Sequence, residues 1–197
     1  LLDRNLNIDF VFGDRYLNVK KMDCSVLRHK VKEVRNVSWG PIIWQRGTVG
    51  LVFKGYEKFI LLGEPMNISS WIILILGRLI GKKIFFWSHG WYGKDSWIKA
   101  KIKKLYFGLA NGTMLYGNYA RELMVKEGLK AGKLTVIYNS LLYDKQLELR
   151  NCIKPSNIYV NHFGNNYPVL VMIGRLNLRK HLDMLIEAVS ILKKRGI

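Results

Sequence analysis

The chain has 197 residues and a formal net charge of +18, because 32 lysines and arginines outnumber 14 aspartates and glutamates. Hydrophobic residues make up 49% of it, charged residues 23% and aromatic residues 12%, a composition that excludes a disordered or low-complexity chain. The excess of positive charge predicts an anionic partner: nucleic acid, a phosphorylated metabolite or an anionic lipid surface.

Six short apolar runs predict β-strands, and four longer stretches between them predict α-helices. The strands are predicted at residues 6–12, 58–62, 83–87, 113–116, 134–138 and 169–173. These runs are continuous rather than alternating, which is typical of strands covered on both faces of a parallel sheet. The helices are predicted at residues 67–80, 96–110, 118–127 and 182–194. This alternation indicates an α/β fold with a doubly wound, Rossmann-like parallel sheet.

Three of these helices carry an apolar stripe that is expected to pack inward, and in helix 118–127 it consists of Ala120, Leu123 and Met124. In helix 96–110 the stripe consists of Ile98, Ile102, Leu105 and Leu109, with lysines around the rest of the surface. In helix 182–194 it consists of Leu182, Leu185, Ile186 and Val189. The unbroken apolar part of helix 67–80, residues 71–76, is too short to span a membrane, since even ten helical residues reach only about 15 Å of a hydrocarbon core of roughly 30 Å. We interpret helix 67–80 as a buried crossover helix capped near residues 67–70.

The sequence predicts two domains joined by a linker. The first domain covers residues 1–150, and the linker covers residues 151–167, which are rich in Asn and contain Pro155 and Gly164. Residues 168–197 contribute one strand and one helix, the beginning of a second, truncated domain. The two cysteines, Cys24 and Cys152, match no metal-ligand spacing, and so few cysteines favour a reducing compartment.

Residues 169–188, VLVMIGRLNLRKHLDMLIEA, carry the most informative motif. Gly174 follows the predicted strand and allows a ligand to approach the backbone, because glycine has no Cβ. Arg175 offers a planar fork of donors and Lys180 a mobile positive charge in front of a helix N-terminus. These residue types suit a diphosphate that is bound at the carboxyl end of a strand.

This segment resembles the start of the second domain of glycosyltransferase family 4 (glycosyl transferase group 1), whose members have the GT-B fold. The family pattern is Gly-Arg-Leu, three residues, Lys-Gly and an amphipathic helix, and His181 stands here in place of the second glycine. Upstream, FILLGEP, WSHG, YGNYARE and VIYNS occur in the order of that family's first domain. Two family elements are missing: the first strand is expected before Leu1, and the paired glutamates of the E-x7-E motif beyond Ile197.

The resemblance implies a retaining, hexosyltransferase-type enzyme of polysaccharide biosynthesis that moves a sugar from a nucleotide-sugar donor to a surface-glycan or lipid-linked acceptor. It implies that Arg175 and Lys180 neutralise the donor diphosphate, with Gly174 beside them, so that no metal or other cofactor is needed. It also implies an acceptor-side first domain in which His89 and Gly90 line the cleft near the donor sugar. The chain is then expected to be an incomplete part of the enzyme and inactive alone.

A lysine-rich segment follows the WSHG motif and predicts a membrane-surface patch. Its residues are Lys94, Trp97, Lys99, Lys101, Lys103 and Lys104. Lysines and interfacial aromatic residues favour an anionic leaflet, whereas the alternative interpretation is an ordinary solvated helix face. The nearby Trp91 and Tyr92 suit either sugar stacking or loop packing. Together with the resemblance, this predicts a cytoplasmic protein, peripheral on the inner face of the membrane.

Two other classes of protein stay open from the sequence. A basic nucleic-acid-binding module accounts for the charge but not for the Gly-Arg-Leu…Lys pattern, and no helix-turn-helix, zinc-finger or RNP-like pattern is present. Nucleic acid is therefore not expected as the partner. A non-catalytic interaction module on the same fold is the second alternative.

Overall fold

A computed structural model describes residues 6–14, 24–27, 30–93, 95–138, 143–174 and 176–196. These residues belong to two compact units, Leu1–Leu141 and Leu142–Ile197. Lys94 and Arg175, two of the predicted site residues, lie outside the described residues.

The strands of the first unit are β1 (Phe10–Gly13), β2 (Val31–Val34), β3 (Asn36–Trp39), β4 (Ile42–Gln45), β5 (Lys58–Leu62), β6 (Lys83–Ser88), β7 (Gly112–Leu115) and β8 (Leu134–Val136). Strands β5 to β8 form a four-stranded sheet in that order, and all its neighbours are parallel. The parallel α/β sheet is thus confirmed, and its four strands coincide with predicted runs to within two residues. The first predicted run, residues 6–12, contains most of β1, which pairs with β2 in a separate parallel sheet.

Three helices connect the strands of the parallel sheet: α1 (Ile68–Leu79), α2 (Trp97–Leu109) and α3 (Asn118–Lys126). Asn67 is the N-cap of helix α1, and its side-chain oxygen accepts a hydrogen bond from the Ser70 amide at 3.4 Å, which agrees with the cap predicted near residues 67–70. Helix α3 is followed by Gly128 with a φ of +90°, the left-handed conformation that glycine adopts after a helix. The core between these helices and the sheet includes Leu74 and Phe86.

Strands β3 and β4 form an antiparallel hairpin that the sequence analysis did not predict. A polar network joins it to the start of α1. The Gln45 amide donates to Ser69 Oγ at 2.7 Å, and Asn67 Nδ2 donates to Gln45 Oε1 at 3.0 Å. Because Ser69 and Asn67 are buried, these bonds satisfy polar groups that would otherwise destabilise the fold.

The predicted inward stripe of helix α2 is wrong. Three of its members, Ile98, Ile102 and Leu105, are exposed, and the helix instead buries Tyr106 and Phe107. The Tyr106 ring stacks on Phe86 with centroids 4.4 Å apart, and the Phe107 ring meets Phe86 edge to face at 5.6 Å. Two aromatic rings bury more apolar area than the aliphatic stripe, so they determine which side of the helix faces the sheet.

The α-helices in the described residues of the second unit are α4 (Tyr143–Cys152), α5 (Ile158–Phe163) and α6 (Leu182–Lys194). The bounds of α6 are those predicted, and α5 lies within the predicted linker. Ile186 and Val189 of α6 are exposed, which contradicts their predicted inward orientation.

The strand predicted at residues 169–173 is not formed. Those residues have no regular secondary structure and are exposed, with Ile173 94% accessible. A strand is stabilised by the ladder to its neighbour and by apolar cover on its faces. The described residues of this unit include no strand with which the segment pairs, so an apolar sequence alone does not produce one.

Candidate functional site

The carboxyl ends of β5, β6 and β7 meet at one edge of the parallel sheet. Gly63 and Glu64 follow β5, His89 and Gly90 follow β6, and Tyr116 follows β7. Open α/β sheets bind ligands at this edge, because the loops that leave the strands converge there. The structure therefore brings the predicted His89 and Gly90 together with Glu64 and Tyr116, which were not among the predicted site residues.

A buried serine fixes the loop that carries His89. Ser88 Oγ donates to the Gly63 carbonyl at 3.1 Å and accepts from the Gly90 amide at 3.0 Å. Gly63 packs directly against Ser88, since a Cβ placed on Gly63 would lie 2.5 Å from Ser88 Cβ. These contacts connect the ends of β5 and β6 and set the backbone on both sides of His89.

The His89 ring is exposed and lies against aromatic neighbours. Its centroid is 4.5 Å from that of Tyr116, with the rings inclined at 68°, and 6.2 Å from that of Tyr92. Trp87 meets Tyr116 from the strand side at 6.3 Å. The imidazole is thus oriented by ring packing, and its exposed face is open to a ligand.

Gly90 has a packing role that is independent of any ligand. Its φ is +77°, and a Cβ placed on it would lie 2.8 Å from Leu115 Cδ2 and 3.1 Å from both Ala120 Cβ and Met124 Sδ. The loop after β6 therefore presses directly on β7 and α3. Only glycine meets both the conformational and the steric requirement.

Tyr92 and Trp91, adjacent in sequence, have different environments. Trp91 is buried in the core, as loop packing predicts, whereas Tyr92 is largely exposed beside the candidate site. Partial burial, then the charges of Glu64 and Tyr116, raise the pKa of the Tyr92 hydroxyl. The raised pKa keeps the Tyr92 hydroxyl protonated, so that it can donate a hydrogen bond to a ligand.

Beyond β8, Tyr138 extends the row of aromatic residues along this edge. Its φ is +57°, a left-handed conformation that few residues other than glycine adopt. Asn118 Nδ2, at the start of α3, donates to Tyr138 Oη at 3.3 Å. The sequence predicts Tyr138 as the last residue of a strand at 134–138, whereas β8 ends at Val136 and leaves Tyr138 two residues beyond it.

The structure separates Lys103 from the rest of the predicted lysine patch. Lys103 Nζ forms a 2.6 Å ion pair with Asp95 and lies 5.7 Å from the centre of the Trp91 ring. Lys101 Nζ instead lies 4.6 Å above the exposed Trp97 ring. Lys99, Lys101 and Lys104 have exposed side chains.

Two of the predicted donor-binding residues of the second unit, Gly174 and Lys180, are described by the structure, and both are exposed. Gly174 has no neighbouring atom within 4 Å of a Cβ placed on it, so packing does not require glycine there. Lys180 ends a 3-10 turn, Leu178–Lys180, that leads into α6. His181 then adopts a φ of +49° and forms the N-cap position of α6. The position where the glycosyltransferase pattern has glycine is thus left-handed in this chain.

No metal centre is formed in the described ranges, since nowhere in them do three or more His, Cys, Asp or Glu side chains lie close enough to hold an ion. The expectation of a reaction without metal or cofactor stays a prediction. Nor does the described part of the chain contain a helix with the length and apolar character needed to cross a bilayer.

Fold and site together define an α/β protein with a parallel, Rossmann-like sheet and a candidate binding edge at the carboxyl ends of its strands. Comparison with protein-family models, curated proteins and solved structures gives no match to the chain.

Proposed function

We propose that this chain belongs to a retaining glycosyltransferase that takes a sugar from a nucleotide-sugar donor to a surface-glycan or lipid-linked acceptor. The observation that carries the proposal is the exposed His89 ring, held between Tyr92 and Tyr116 at the carboxyl ends of the parallel strands. In this proposal the first unit supplies the acceptor side.

The chemistry of this edge suits a polyhydroxylated ligand. Aromatic rings pack on the C–H faces of sugars, and the Glu64 carboxylate accepts hydrogen bonds from hydroxyl groups. The imidazole of His89 both donates and accepts, and it is placed on a backbone that Ser88 holds on either side. Small-molecule sites typically combine a few polar groups with walls formed by aromatic residues.

The donor side of the proposal is supported by the start of α6. Lys180 lies next to a 13-residue helix whose N-terminal amides and dipole favour an anion. The left-handed φ of His181 agrees with a motif in which this position is glycine. Because residues 169–173 form no strand, support for a diphosphate site comes from Lys180 and this helix start rather than from a strand end.

Calorimetric titration with nucleoside diphosphates tests the donor side. We expect binding that Lys180→Ala weakens and that Lys193→Ala, a matched change at the far end of the same helix, leaves unchanged. Equal binding by the two variants would contradict the assignment of Lys180.

Saturation-transfer NMR with a panel of oligosaccharides and short-chain glycolipids tests the acceptor side. We expect contacts that His89→Ala and Tyr116→Ala abolish without lowering the unfolding midpoint by more than a few degrees. A salt-dependent gel shift with unrelated DNA is the discriminating measurement. Tight DNA binding with no response to nucleotides or glycans would favour the nucleic-acid module instead.

A further inference from the structure

Helix α2 presents a second apolar side to solvent. Ile98, Ile102 and Leu105 are 54%, 47% and 58% exposed, while Tyr106 and Phe107 on the other side are buried. The three aliphatic residues follow the i, i+4, i+7 spacing that places side chains on one face of a helix. The sheet therefore leaves a continuous aliphatic stripe uncovered, which we call the α2 stripe.

Positive charge borders the α2 stripe. The helix sequence, WIKAKIKKLYFGL, contains four lysines and no acidic residue. Lys103 is held by Asp95, which leaves the exposed Lys99, Lys101 and Lys104 to interact with a partner. The exposed Trp97 stands at the first position of the helix, with Lys101 Nζ 4.6 Å above its ring. Apolar stripe, lysines and an indole thus share one surface.

This combination discriminates between the possible occupants. A second copy packed on the same stripe would bring two sets of lysines together in a symmetric interface, with no acidic residue on either helix to compensate. Nucleic acid would pair with the lysines and leave the aliphatic residues in water. An anionic bilayer meets both requirements, because its headgroups attract lysines and its acyl boundary accepts aliphatic side chains.

We infer that α2 lies in the surface of an anionic lipid bilayer, with Ile98, Ile102 and Leu105 inserted at the boundary between headgroups and acyl chains. Lys101 and Lys104 extend along their aliphatic stems to the headgroups, and the Trp97 indole lies at the same level. This surface goes beyond the proposed sugar transfer and is tested without a nucleotide sugar or an acceptor. Either proposal can therefore fail while the other holds.

Vesicle co-sedimentation of the full chain tests the inference, with vesicles of phosphatidylcholine alone and of phosphatidylcholine mixed with phosphatidylglycerol. We expect binding to the mixed vesicles only, decreasing as salt rises. The triple change Ile98→Ser, Ile102→Ser, Leu105→Ser is expected to weaken binding at least about tenfold at low salt. The double change Lys101→Glu, Lys104→Glu is expected to weaken it at least about 25-fold, since each lysine contributes about fivefold.

Matched controls are available elsewhere on the molecule. Ile60 of β5 and Ile75 and Leu79 of α1 are 53%, 47% and 77% exposed, so serine at these three positions removes a similar number of exposed aliphatic side chains outside α2. Lys145 and Lys154 are exposed in the second unit, and their reversal to glutamate matches the charge change. Both controls are expected to bind vesicles as the unchanged chain does.

Several results would overturn the inference. One is equal binding of the chain to neutral and mixed vesicles. Another is an equal loss of vesicle binding in the stripe variant and in its control. The third is a chain that self-associates and that the stripe substitutions convert to a monomer without changing vesicle binding. Circular dichroism verifies that the variants fold. If the stripe variant does not fold, the lysine variant and its control decide the question, because they alter exposed side chains only.

Discussion

Replacing Gly90 with alanine tests whether the loop after β6 is set by packing on β7 and α3. The added Cβ would lie 2.8 Å from Leu115 Cδ2 and 3.1 Å from Met124 Sδ, closer than van der Waals contact allows. Overpacking of this kind costs about 1–3 kcal/mol. The φ of +77° adds about 1–2 kcal/mol for a residue with a Cβ. We therefore expect the free energy of unfolding to fall by about 2–5 kcal/mol, a large part of a typical domain's total.

Two other glycines separate the contribution of steric overlap from that of backbone strain. Gly81 has a φ of +76° and nothing within 4 Å of a Cβ placed on it, so Gly81→Ala introduces strain without a clash. Gly132 has neither a positive φ nor a close neighbour, and Gly132→Ala is expected to change the stability little. Urea unfolding followed by circular dichroism measures all three free energies. Equal losses for Gly90→Ala and Gly81→Ala would refute the packing argument, and no loss in either would refute the strain argument too.

Three further predictions concern other parts of the chain. Asn67→Ala removes the cap of α1 and the hydrogen bond to Gln45 Oε1, so it should lower the free energy of unfolding by about 1–2 kcal/mol. Urea unfolding measures this loss, with a change at the exposed Asn165, Asn165→Ala, for comparison. His181→Gly relieves the strain of a left-handed φ of +49° and should raise the helicity of residues 182–194, measured by NMR chemical shifts. His181→Ala should not raise it, and equal chemical shifts for the two variants would contradict the prediction. Burial raises the pKa of Tyr106 above its ordinary value of 10.0, so ionisation of the hydroxyl opposes folding and the fold loses stability as pH rises above 10. Tyr106→Phe should therefore flatten the alkaline decline of the unfolding midpoint, and an unchanged decline would contradict this.

The sequence predicts the parallel sheet well because its strands are apolar on both faces. Continuous runs such as residues 58–62 and 83–87 have few alternative environments in a folded chain, and turn-forming residues mark their ends. The hairpin of β3 and β4 is less visible, because its short strands mix apolar and polar residues and are stabilised by Gln45, Ser69 and Asn67. Such a network depends on residues more than twenty positions apart.

Two of the wrong predictions, the inward stripe of α2 and the strand at residues 169–173, have different physical causes. In α2 both sides of the helix are apolar, so periodicity cannot decide whether Ile102 or Tyr106 faces the sheet; ring stacking on Phe86 decides it. At residues 169–173 the composition favours a strand, but pairing requires a neighbour that local sequence does not supply. Periodicity states what a segment prefers, and tertiary contacts determine which preference is met.

The sequence predicts the candidate site only in part, as it does the fold. His89 and Gly90 are visible in the sequence because they follow directly on a buried strand. Glu64 and Tyr116 join them only through the register of β5, β6 and β7, which places three strand ends side by side. The left-handed φ of Tyr138 has no sequence signal at all, because tyrosine does not favour it.

Lys103 connects the candidate site to the α2 surface within the first unit. Its ion pair with Asp95 and its position beside the buried Trp91 ring connect α2 to two residues that follow His89 along the chain. A side chain engaged in this way positions the loop instead of contacting lipid. Lys103→Ala should therefore alter ligand contacts at His89, whereas Lys101→Ala should alter vesicle binding alone.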